Sequence, residues 1–245
     1  MTVPAERAEP ARGLMIELFP EGFEEAAAGT GVELAAYTDA AGEERLRAVF
    51  QGAASQDVVA DWADRWRSFH HSVRVGPVWI GPPWEEPPDD GVTVVIEPGR
   101  AFGTGGHPTT RLCVELLLEL ERGSLLDLGC GSGVIAITAA KLGFAPVSGL
   151  DREPQAIEAT VRNAAANGVS IDARLGDALQ DELPPAGVTV ANIDFATASG
   201  VATRVSGPSL VVSGYVVSAP TELAGFRHAD RRASDGWAAD LYVRG

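Results

Sequence analysis

The sequence predicts an α/β fold, in which a mostly parallel sheet carries helices on both faces and ends in an antiparallel hairpin. Three observations in the 245-residue chain lead to this prediction. From Val92 onward, apolar strand patterns alternate with helical patterns, which is typical of parallel sheets. Residues 125–133, LLDLGCGSG, join an apolar run to a helical pattern through a glycine-rich turn. The last two strand patterns, 226–233 and 237–243, are close enough in sequence to form a hairpin.

A small α+β module is predicted over residues 1–56. Its pattern resembles a ferredoxin-type split β-α-β module in which the first strand is missing or reduced to a stub. Because its core is small, the module depends on its neighbours for stability. The expected elements are a helix within 4–18, strands over 23–28 and 32–37, a helix over 43–50, and a short strand or a helix start over 56–60.

Residues 57–91 are predicted to link this module to the larger domain. A helix within 57–70 carries three aromatic side chains on one face, which we interpret as packing at a seam between domains. Four prolines between Gly81 and Gly91 then predict a stiff, extended connector. The aromatic residues are Trp62, Trp66 and Phe69.

The larger domain, 92–245, is predicted to contain the parallel sheet. Its strands are expected over 124–129, 146–151, 170–175, 187–192 and 209–213. Its helices are expected over 108–121, 133–142 and 154–167, near 195–205 and near 218–225. The hairpin then adds two strands at one edge of the sheet.

The composition is that of an ordinary globular protein, with 45% hydrophobic residues. No apolar run approaches the length of about 18 residues that a membrane-spanning helix needs, and the N-terminus lacks the apolar core of a secretory signal. Two cysteines and four scattered histidines provide neither a disulfide framework nor a metal site. We therefore expect a cytoplasmic protein with no membrane partner and no metal.

The chain is strongly acidic, with a formal charge of −15 and a pI near 4.6. An acidic surface repels phosphates, so direct binding to nucleic acid is not expected. The same surface attracts a basic partner and raises the rate of encounter. Solubility alone also explains such a charge, and composition does not separate the two interpretations.

The glycine-rich turn indicates a nucleoside site. Gly129, Gly131 and Gly133 stand at alternate positions, which lets the backbone approach a ligand where a Cβ would collide. Asp151 ends the next strand, where a carboxylate can accept hydrogen bonds from both hydroxyls of a ribose. The alternative is a tight strand-to-helix turn that binds no ligand.

The turn differs from that of a dinucleotide site, which has the pattern G-x-G-x-x-G and holds a pyrophosphate. Val134 stands where the third glycine of that pattern would be. The motif also opens with Asp127, and an acid suits a ligand with a positive centre better than a diphosphate. S-adenosylmethionine is such a ligand, because it carries a sulfonium, an ammonium and a ribose but no phosphate. Alternatively, Asp127 binds only the amides of the turn itself.

A second motif precedes the first helix of the larger domain, where residues 97–110 read EPGRAFGTGGHPTT. Together with DLGCGSG, with Ala-Asn-Ile at 191–193 and with the tryptophans of the linker helix, it makes the chain resemble the PrmA family. Members of this family methylate large-subunit ribosomal protein eleven. The resemblance covers 57–245 and, more weakly, 14–50. It implies a Rossmann-like S-adenosylmethionine-dependent methyltransferase fold and a basic large-subunit ribosomal protein as substrate, recognised by the N-terminal module.

The resemblance also implies roles for individual residues. Thr110 would contact the cofactor from the start of its helix, Gly129 would lie beneath the methionine portion, and Asp151 would hold the ribose. Asn192 would face the transferring methyl group. The general methyltransferase pattern puts Asp177 at the adenine amino group. The loop expected to cover the cofactor contains Phe102, Gly103, Thr104 and His107.

Structural roles remain open for several of these residues. His107 can cap the next helix or brace the loop, Thr110 can be an ordinary first-turn residue, and Asn192 can be a strand-end turn residue. Cys130 is interpreted as a small filler between glycines and not as a nucleophile.

Two features depart from the family pattern. Asp194 and Phe195 follow Asn192 and Ile193, where the family usually has an apolar residue, and the N-terminal module is short. The implied reaction is methyl transfer to an amine, either an α-amine or a lysine. Other hypotheses are a methyltransferase for another protein or a small amine, and a catalytically silent cofactor-binding factor if Asp194 blocks the amine. A nicotinamide-dependent dehydrogenase comes last, because the third dinucleotide glycine is missing.

Overall fold

The computed structural model describes most of the chain and divides it into two compact units, Met1–Phe69 and His70–Gly245. The described residues are 1–19, 22–36, 38–50, 52–55, 70–99, 103–219 and 221–245. Three expectations lie outside them: residues 57–69 of the aromatic helix predicted within 57–70, the strand or helix start over 56–60, and Phe102.

The described part of the first unit contains an antiparallel sheet and two α-helices. Its elements are strands β1 (Thr2–Pro4), β2 (Glu24–Ala28) and β3 (Gly31–Ala35), helices α1 (Ala8–Leu18) and α2 (Ala40–Val49), and a 3-10 turn at Ala5–Arg7. The strands have the order β1-β3-β2 and pair antiparallel throughout. The sequence predicted a first strand that is missing or reduced to a stub, and β1, at three residues, is such a stub.

Apolar packing and a buried ion pair stabilise the described part of the first unit. Met15 of α1 and Leu34 of β3 are fully buried. Arg12 of α1 and Glu25 of β2 form a bidentate ion pair with nitrogen–oxygen distances of 2.6 and 2.8 Å. Their side chains are 8% and 10% exposed, so the pair joins helix to sheet away from solvent.

The second unit begins with a small sheet that the sequence analysis did not predict. Its strands are β4 (Val73–Val75), β5 (Val78–Gly81) and β6 (Val92–Val95), and β5 pairs antiparallel with β4 and parallel with β6. The side chains of Val78 and Ile80 are fully buried. The prolines that indicated only an extended connector lie between β5 and β6, where they interrupt no strand ladder.

A seven-stranded mixed sheet forms the centre of the second unit. Its strands are β7 (Leu125–Leu128), β8 (Val147–Asp151), β9 (Asp172–Leu175), β10 (Val188–Asn192), β11 (Ser209–Val216), β12 (Phe226–Ser234) and β13 (Trp237–Arg244). The order is β12-β13-β11-β10-β7-β8-β9. β7 to β11 are parallel, and β13 pairs antiparallel with both β11 and β12. The predicted α/β fold with a terminal antiparallel hairpin is confirmed.

The direction of strand succession reverses at β7, because β8 lies on one side of it and β10 on the other. In open α/β sheets, ligands bind in the crevice outside the carboxyl ends of the strands at such a switch point. The glycine-rich turn follows β7 at this edge, and Asp151 and Asn192 end the two flanking strands. The topology therefore brings the predicted site residues to one place.

Helices connect the strands of the large sheet and enclose its core. In the described part they are α3 (Pro108–Glu119), α4 (Val134–Lys141), α5 (Pro154–Ala166) and α6 (Phe195–Ala202). An apolar core lies between α6 and the sheet, and it includes Leu128, Val212 and Tyr242. No helix among the described residues has the length and apolar character to cross a membrane.

The expected helix near 218–225 is wrong, because its described residues form turns and coil. The proline at 220 supplies no amide hydrogen for a helix. The carbonyls of Val217 and Ala219 instead accept hydrogen bonds from the guanidinium of Arg231, at 2.8 and 3.2 Å. A long-range side-chain contact thus satisfies backbone groups that a helix would have paired locally.

Candidate functional site

Backbone conformation favours glycine at all three predicted positions of the turn after β7. Gly129, Gly131 and Gly133 have φ angles of 71°, 55° and 84°, in the left-handed region. A Cβ on Gly129 would lie 2.5 Å from Cγ2 of Ile193, closer than real contacts allow. One on Gly133 would lie 3.1 Å from Cα of Thr160. Both conformation and close packing therefore shape the turn.

Hydrogen bonds from β8 and α5 hold this glycine-rich turn in place. The amides of Gly129 and Cys130 both donate to the carbonyl of Leu150, at 2.8 and 3.2 Å. The hydroxyl of Thr160 donates to the carbonyl of Gly131 at 3.1 Å. The turn is thus preorganised by the protein's own contacts.

Asp151 lies at the carboxyl end of β8, beside the turn. Its Oδ2 accepts a hydrogen bond from the amide of Gly131 at 2.9 Å, and its Oδ1 accepts one from the amide of Glu153 at 3.0 Å. These two bonds orient the carboxylate, and each oxygen keeps a lone pair for a further donor. A pair of neighbouring hydroxyls is a donor set that this arrangement can accept.

Asp127 is buried on β7, with 1% of its surface exposed. Its Oδ2 accepts a hydrogen bond from the amide of Ala136 in α4 at 3.1 Å, so the carboxylate does bind a backbone amide close to the turn. Burial, together with the nearby charge of Asp151, raises the pKa of Asp127 to about 7. A cation placed near this side chain would favour its ionised form.

Two buried polar atoms near the switch point have no hydrogen-bond partner within the described part of the chain. They are Oγ1 of Thr110, in the first turn of α3, and Oδ1 of Asn192, at the end of β10. Thr110 is fully buried. Buried polar groups nearly always have a partner, so such an atom calls for a ligand or another explanation. Both atoms belong to residues that the sequence analysis selected.

The loop that leads into α3 packs against the glycine-rich turn. Gly103 has a φ of 96°, and its carbonyl accepts a hydrogen bond from the hydroxyl of Ser132. At the other end, Nδ1 of His107 accepts a hydrogen bond from the amide of Thr109 at 3.4 Å, which caps α3. The His107 ring also contacts Trp237 edge-on, with centroids 4.7 Å apart. His107 therefore both caps the helix and braces the loop, in which Thr104 is half-buried.

Asp177 follows β9 and organises a turn. Its Oδ1 accepts a hydrogen bond from the amide of Leu179 at 2.8 Å, and its Oδ2 accepts one from the side chain of Gln180 at 2.7 Å. Gly176 precedes it and packs on Leu150, since a Cβ there would lie 2.9 Å from Cδ1 of that leucine. The predicted contact of Asp177 with an adenine amino group stays a prediction.

The sequence model of the family described as "Ribosomal protein L11 methyltransferase (PrmA)" matches residues 23–205, which is more than half of the chain. The chain belongs to this family. A ribosomal protein L11 methyltransferase of Aliivibrio fischeri (strain MJ11) is 42% identical over 178 residues, covering 68% of this chain and 60% of the relative. One of Serratia proteamaculans (strain 568) is 48% identical over 140 residues, covering 54% of this chain and 47% of the relative.

A solved structure supports the same fold. The ribosomal protein L11 methylase of Lactobacillus delbrueckii subsp. bulgaricus is 25% identical, with a TM-score of 0.64, over 71% of this chain and 98% of that one. By length, the present chain spans 60% of the Aliivibrio relative and 47% of the Serratia relative.

Asp194, which departs from the PrmA pattern, caps α6. Its Oδ1 accepts a hydrogen bond from the amide of Thr197 at 2.9 Å, and its Oδ2 accepts one from the hydroxyl of the same residue at 2.5 Å. Phe195 packs edge-on against Tyr215, with ring centroids 5.2 Å apart. These residues therefore have a structural role in this PrmA-family chain that the sequence analysis did not predict, although Asp is a preferred residue at the N-cap of a helix.

Sequence analysis also missed two buried asparagines, Asn163 on α5 and Asn167, the residue that caps the C-terminus of α5, which are 1% and 8% exposed. They stand four residues apart, on the buried side of the C-terminal end of the helix. Polar side chains at helical spacing among apolar neighbours were the available signal.

Cys130 is a buried filler, as predicted. Burial, together with the nearby charge of Asp127, raises the pKa of its thiol to about 12, so the thiol stays protonated near neutral pH. A Cβ on Gly149 would lie 3.2 Å from its Sγ, which shows how closely β8 packs against it.

Proposed function

We propose that this chain is an S-adenosylmethionine-dependent protein N-methyltransferase that modifies amino groups of the large-subunit ribosomal protein L11. The names of its relatives support both reaction and substrate. The observation that carries the proposal is the buried Oδ1 of Asn192, beside the glycine-rich turn, which has no hydrogen-bond partner among the residues that the structure describes. A carbonyl oxygen in this position is an acceptor for the N–H of a substrate amine.

The residues at the switch point fit adenosylmethionine. Asp151 would hold the ribose through the lone pairs that its two amide bonds leave open. Thr110 would contact the cofactor and Gly129 would lie beneath its methionine portion. The Thr110 hydroxyl has no partner among the described residues, which supports a contact because a buried hydroxyl without a partner is costly. Asp127 would face the positive centre, and Asp177 would face the adenine amino group. The other proposed contacts are Gly131, Gly133, Phe102, Gly103, Thr104 and His107.

When bound, adenosylmethionine supplies an electrophilic methyl group on its sulfonium. The residues of the chain align the substrate nitrogen and exclude water from it. Asn192 accepts one N–H of the amine through Oδ1, which orients the nitrogen lone pair. The proton that the amine must lose can pass to water, so the mechanism needs no side-chain base.

The protonation state of the substrate sets the preference among its amines, because only the neutral form reacts. An α-amine has a pKa of about 7.7–8.0 and is partly neutral near physiological pH, whereas a lysine at about 10.4 must first be desolvated. The rate of lysine methylation should therefore keep rising to a higher pH than the rate of α-amine methylation.

The acidity of the chain supports a basic protein partner. A formal charge of −15 favours encounter with a basic ribosomal protein and opposes direct contact with nucleic acid phosphates. Ribosomal proteins are made in the cytoplasm, so we propose that compartment for the reaction.

The hydrogen bonds of Asp194 bear on the hypothesis of a catalytically silent factor. That hypothesis requires the Asp194 carboxylate to block an incoming amine. Both of its oxygens accept hydrogen bonds from Thr197 in the cap of α6, which supports an active enzyme.

The test is methyl transfer in a defined mixture. The full chain is incubated with methyl-labelled adenosylmethionine and unmethylated large-subunit ribosomal proteins, and the labelled band is identified by mass spectrometry. We expect label on L11 alone, and labelling about 100-fold slower with Asn192→Ala at matched enzyme concentration. Label on a different protein or on a small amine would contradict the substrate, and cofactor binding without any transfer would contradict the reaction.

A further inference from the structure

Two buried asparagines, Asn163 in α5 and Asn167 at its C-cap, bind backbone groups of other segments. The side-chain amide of Asn167 pairs with both backbone groups of Val95, accepting from its N–H at 2.9 Å and donating to its carbonyl at 2.6 Å. It therefore binds the end of β6 as a neighbouring strand would. Asn163 accepts a hydrogen bond from the amide of Glu97 at 3.2 Å and donates to the carbonyl of Ser132 at 2.8 Å. One side chain thus joins the segment after β6 to the glycine-rich turn.

Ser132 extends this network to the 103–107 loop. Its hydroxyl donates to the carbonyl of Gly103, and its Oγ accepts a hydrogen bond from the amide of Val134 at 3.3 Å. A Cβ on Gly103 would lie 3.3 Å from Oγ of Ser132 and 3.4 Å from Cγ1 of Val134, so the loop backbone lies directly on the start of α4. The side chain of Ser132 is buried, with 3% of the residue exposed.

The network acts on groups that the proposed function assigns to the cofactor. The 103–107 loop leads without a break into α3, where Thr110 carries its unpartnered hydroxyl. Ser132 stands within the turn that contains Gly129 and Gly131. A shift of the loop relative to the turn would therefore change the spacing between the groups from α3 and those from β7.

We propose that Ser132 and Asn163 are positioning residues for the cofactor. They fix the position of the 103–107 loop relative to the glycine-rich turn before the cofactor binds. The inference rests on the proposed function. Ordering of the loop then occurs during folding, so binding does not bear that entropic cost. Removal of the Ser132 hydroxyl should weaken cofactor binding more than it weakens the fold.

The test compares two buried hydroxyls near the same helix. Ser132→Ala removes the hydrogen bond to the loop, whereas Thr138→Val removes a hydrogen bond of similar burial that stays within α4, from Oγ1 of Thr138 to the carbonyl of Val134 at 2.7 Å. Adenosylmethionine affinity is measured by calorimetry on the full chain, and amide hydrogen exchange is followed over 103–110 without cofactor. We expect the Kd to rise about tenfold in Ser132→Ala, which corresponds to 1.4 kcal/mol, and to stay near wild type in Thr138→Val.

Asn163→Asp provides a second variant that keeps the acceptor for Glu97 but loses the donor to Ser132. It should raise the Kd and accelerate exchange over 103–110, and combining it with Ser132→Ala should give less than the sum of the two effects. A Kd unchanged in Ser132→Ala, or raised equally in Thr138→Val, would overturn the positioning role. If the wild-type chain itself binds no adenosylmethionine, the proposed function fails before any variant is compared. If it binds but transfers no methyl group, the positioning role is still decided by the Kd values.

Discussion

Asp127 on β7 and Asp240 on β13 are both buried carboxylates of the same sheet, 1% and 0% exposed, yet their surroundings differ. Asp127 accepts a hydrogen bond from the amide of Ala136 and forms no ion pair with any described Lys, Arg or His side chain. Asp240 accepts hydrogen bonds from the guanidinium of Arg231 and the hydroxyl of Tyr215, and Nε2 of His228 lies 2.6 Å from its Oδ1.

The two surroundings move the pKa values in opposite directions. Burial raises the pKa of Asp127 to about 7. Burial alone would also raise that of Asp240, but hydrogen bonds from Arg231, Tyr215 and His228 outweigh it and hold the pKa below its ordinary value. The charge of Asp240 is thus partnered within the hairpin, whereas that of Asp127 is left for another cation to stabilise.

The comparison separates a binding region from a structural one. The carboxylate without an ion pair stands near the two unpartnered site atoms of Thr110 and Asn192, at the switch point of the sheet. The fully paired carboxylate of Asp240 stands in the terminal hairpin, where Arg231 also binds the carbonyl of Val217. At a site for a charged ligand, some polar groups have no protein partner and are available to the ligand. In a cluster that holds strands together, the polar groups are paired with one another.

The largest expected effect is loss of stability in Asp240→Asn. Removing one partner of a buried ion pair leaves Arg231 without its counter-charge, which should lower the free energy of unfolding by about 3 kcal/mol. Urea unfolding measures this. Since the folded pKa of Asp240 is lowered, its stabilisation is present above the ordinary Asp value of 3.8 and is lost as pH falls through the lower folded pKa.

The control for that variant is Asp230→Asn, on the neighbouring strand. Asp230 is 41% exposed and paired with Arg232, so its loss should change stability by less than about 0.5 kcal/mol. Similar losses in the two variants would remove the distinction between the hairpin cluster and an ordinary surface pair.

Next in size is the effect of Asn192→Ala on turnover. Loss of a group that orients the reacting nitrogen should lower kcat by about 100-fold, or about 2.7 kcal/mol, while the Kd for adenosylmethionine changes little. Ser213→Ala is the matched control, because Ser213 is the register neighbour of Asn192 on β11 and donates its hydrogen bond to the carbonyl of Ala238. Equal losses of turnover and affinity in Asn192→Ala would rule out the proposed role.

The pH dependence of stability should reveal Asp127. Its folded pKa, about 7, is above the ordinary value of 3.8, so its contribution to stability is present below about pH 4 and lost as pH rises through 7. The slope from this group has a limit of about 1.4 kcal/mol per pH unit. Asp127→Asn should flatten the profile between pH 4 and 7, measured by urea unfolding at several pH values.

A bound cation near Asp127 should lower its pKa, so adenosylmethionine binding should release protons near pH 7. Calorimetry in buffers of different ionisation enthalpy measures that release. An unchanged proton count in Asp127→Asn would favour the interpretation that this carboxylate serves only the amide of Ala136.

The smallest expected effect is that of Asp194→Ala. Loss of the cap on α6 should lower the free energy of unfolding by about 1 kcal/mol, and turnover per folded molecule should stay near wild type. Thr197→Val, which removes only the hydroxyl that binds Asp194, should cost less. A large gain in turnover in Asp194→Ala would instead mean that this carboxylate does obstruct the substrate.

Local patterns in the sequence were sufficient to predict much of the fold and most of the candidate site residues. The alternation of strands and helices, the terminal hairpin, the glycine-rich turn and the position of Asp151 at a strand end were all readable, because each depends on spacing within a few residues. Asn192 and Thr110 were selected from motifs, and both carry buried atoms that find no partner in the described part of the chain. The small sheet with β4 and β5 was missed because prolines beside β5 resembled a linker.

Only the tertiary structure decided which distant polar groups meet. Asn167 binds Val95 across 72 residues, and Arg231 reaches Asp240, Val217 and Ala219, where a helix had been expected. These contacts depend on the order of strands and on their register, including the irregularity between His228 and Asp230. Sequence alone therefore determined where the turn and its acids stand along the chain. The fold determined that, among the described residues, the carboxylate of Asp240 is paired with a cation and that of Asp127 is not, because burial and pairing depend on which residues are close in space.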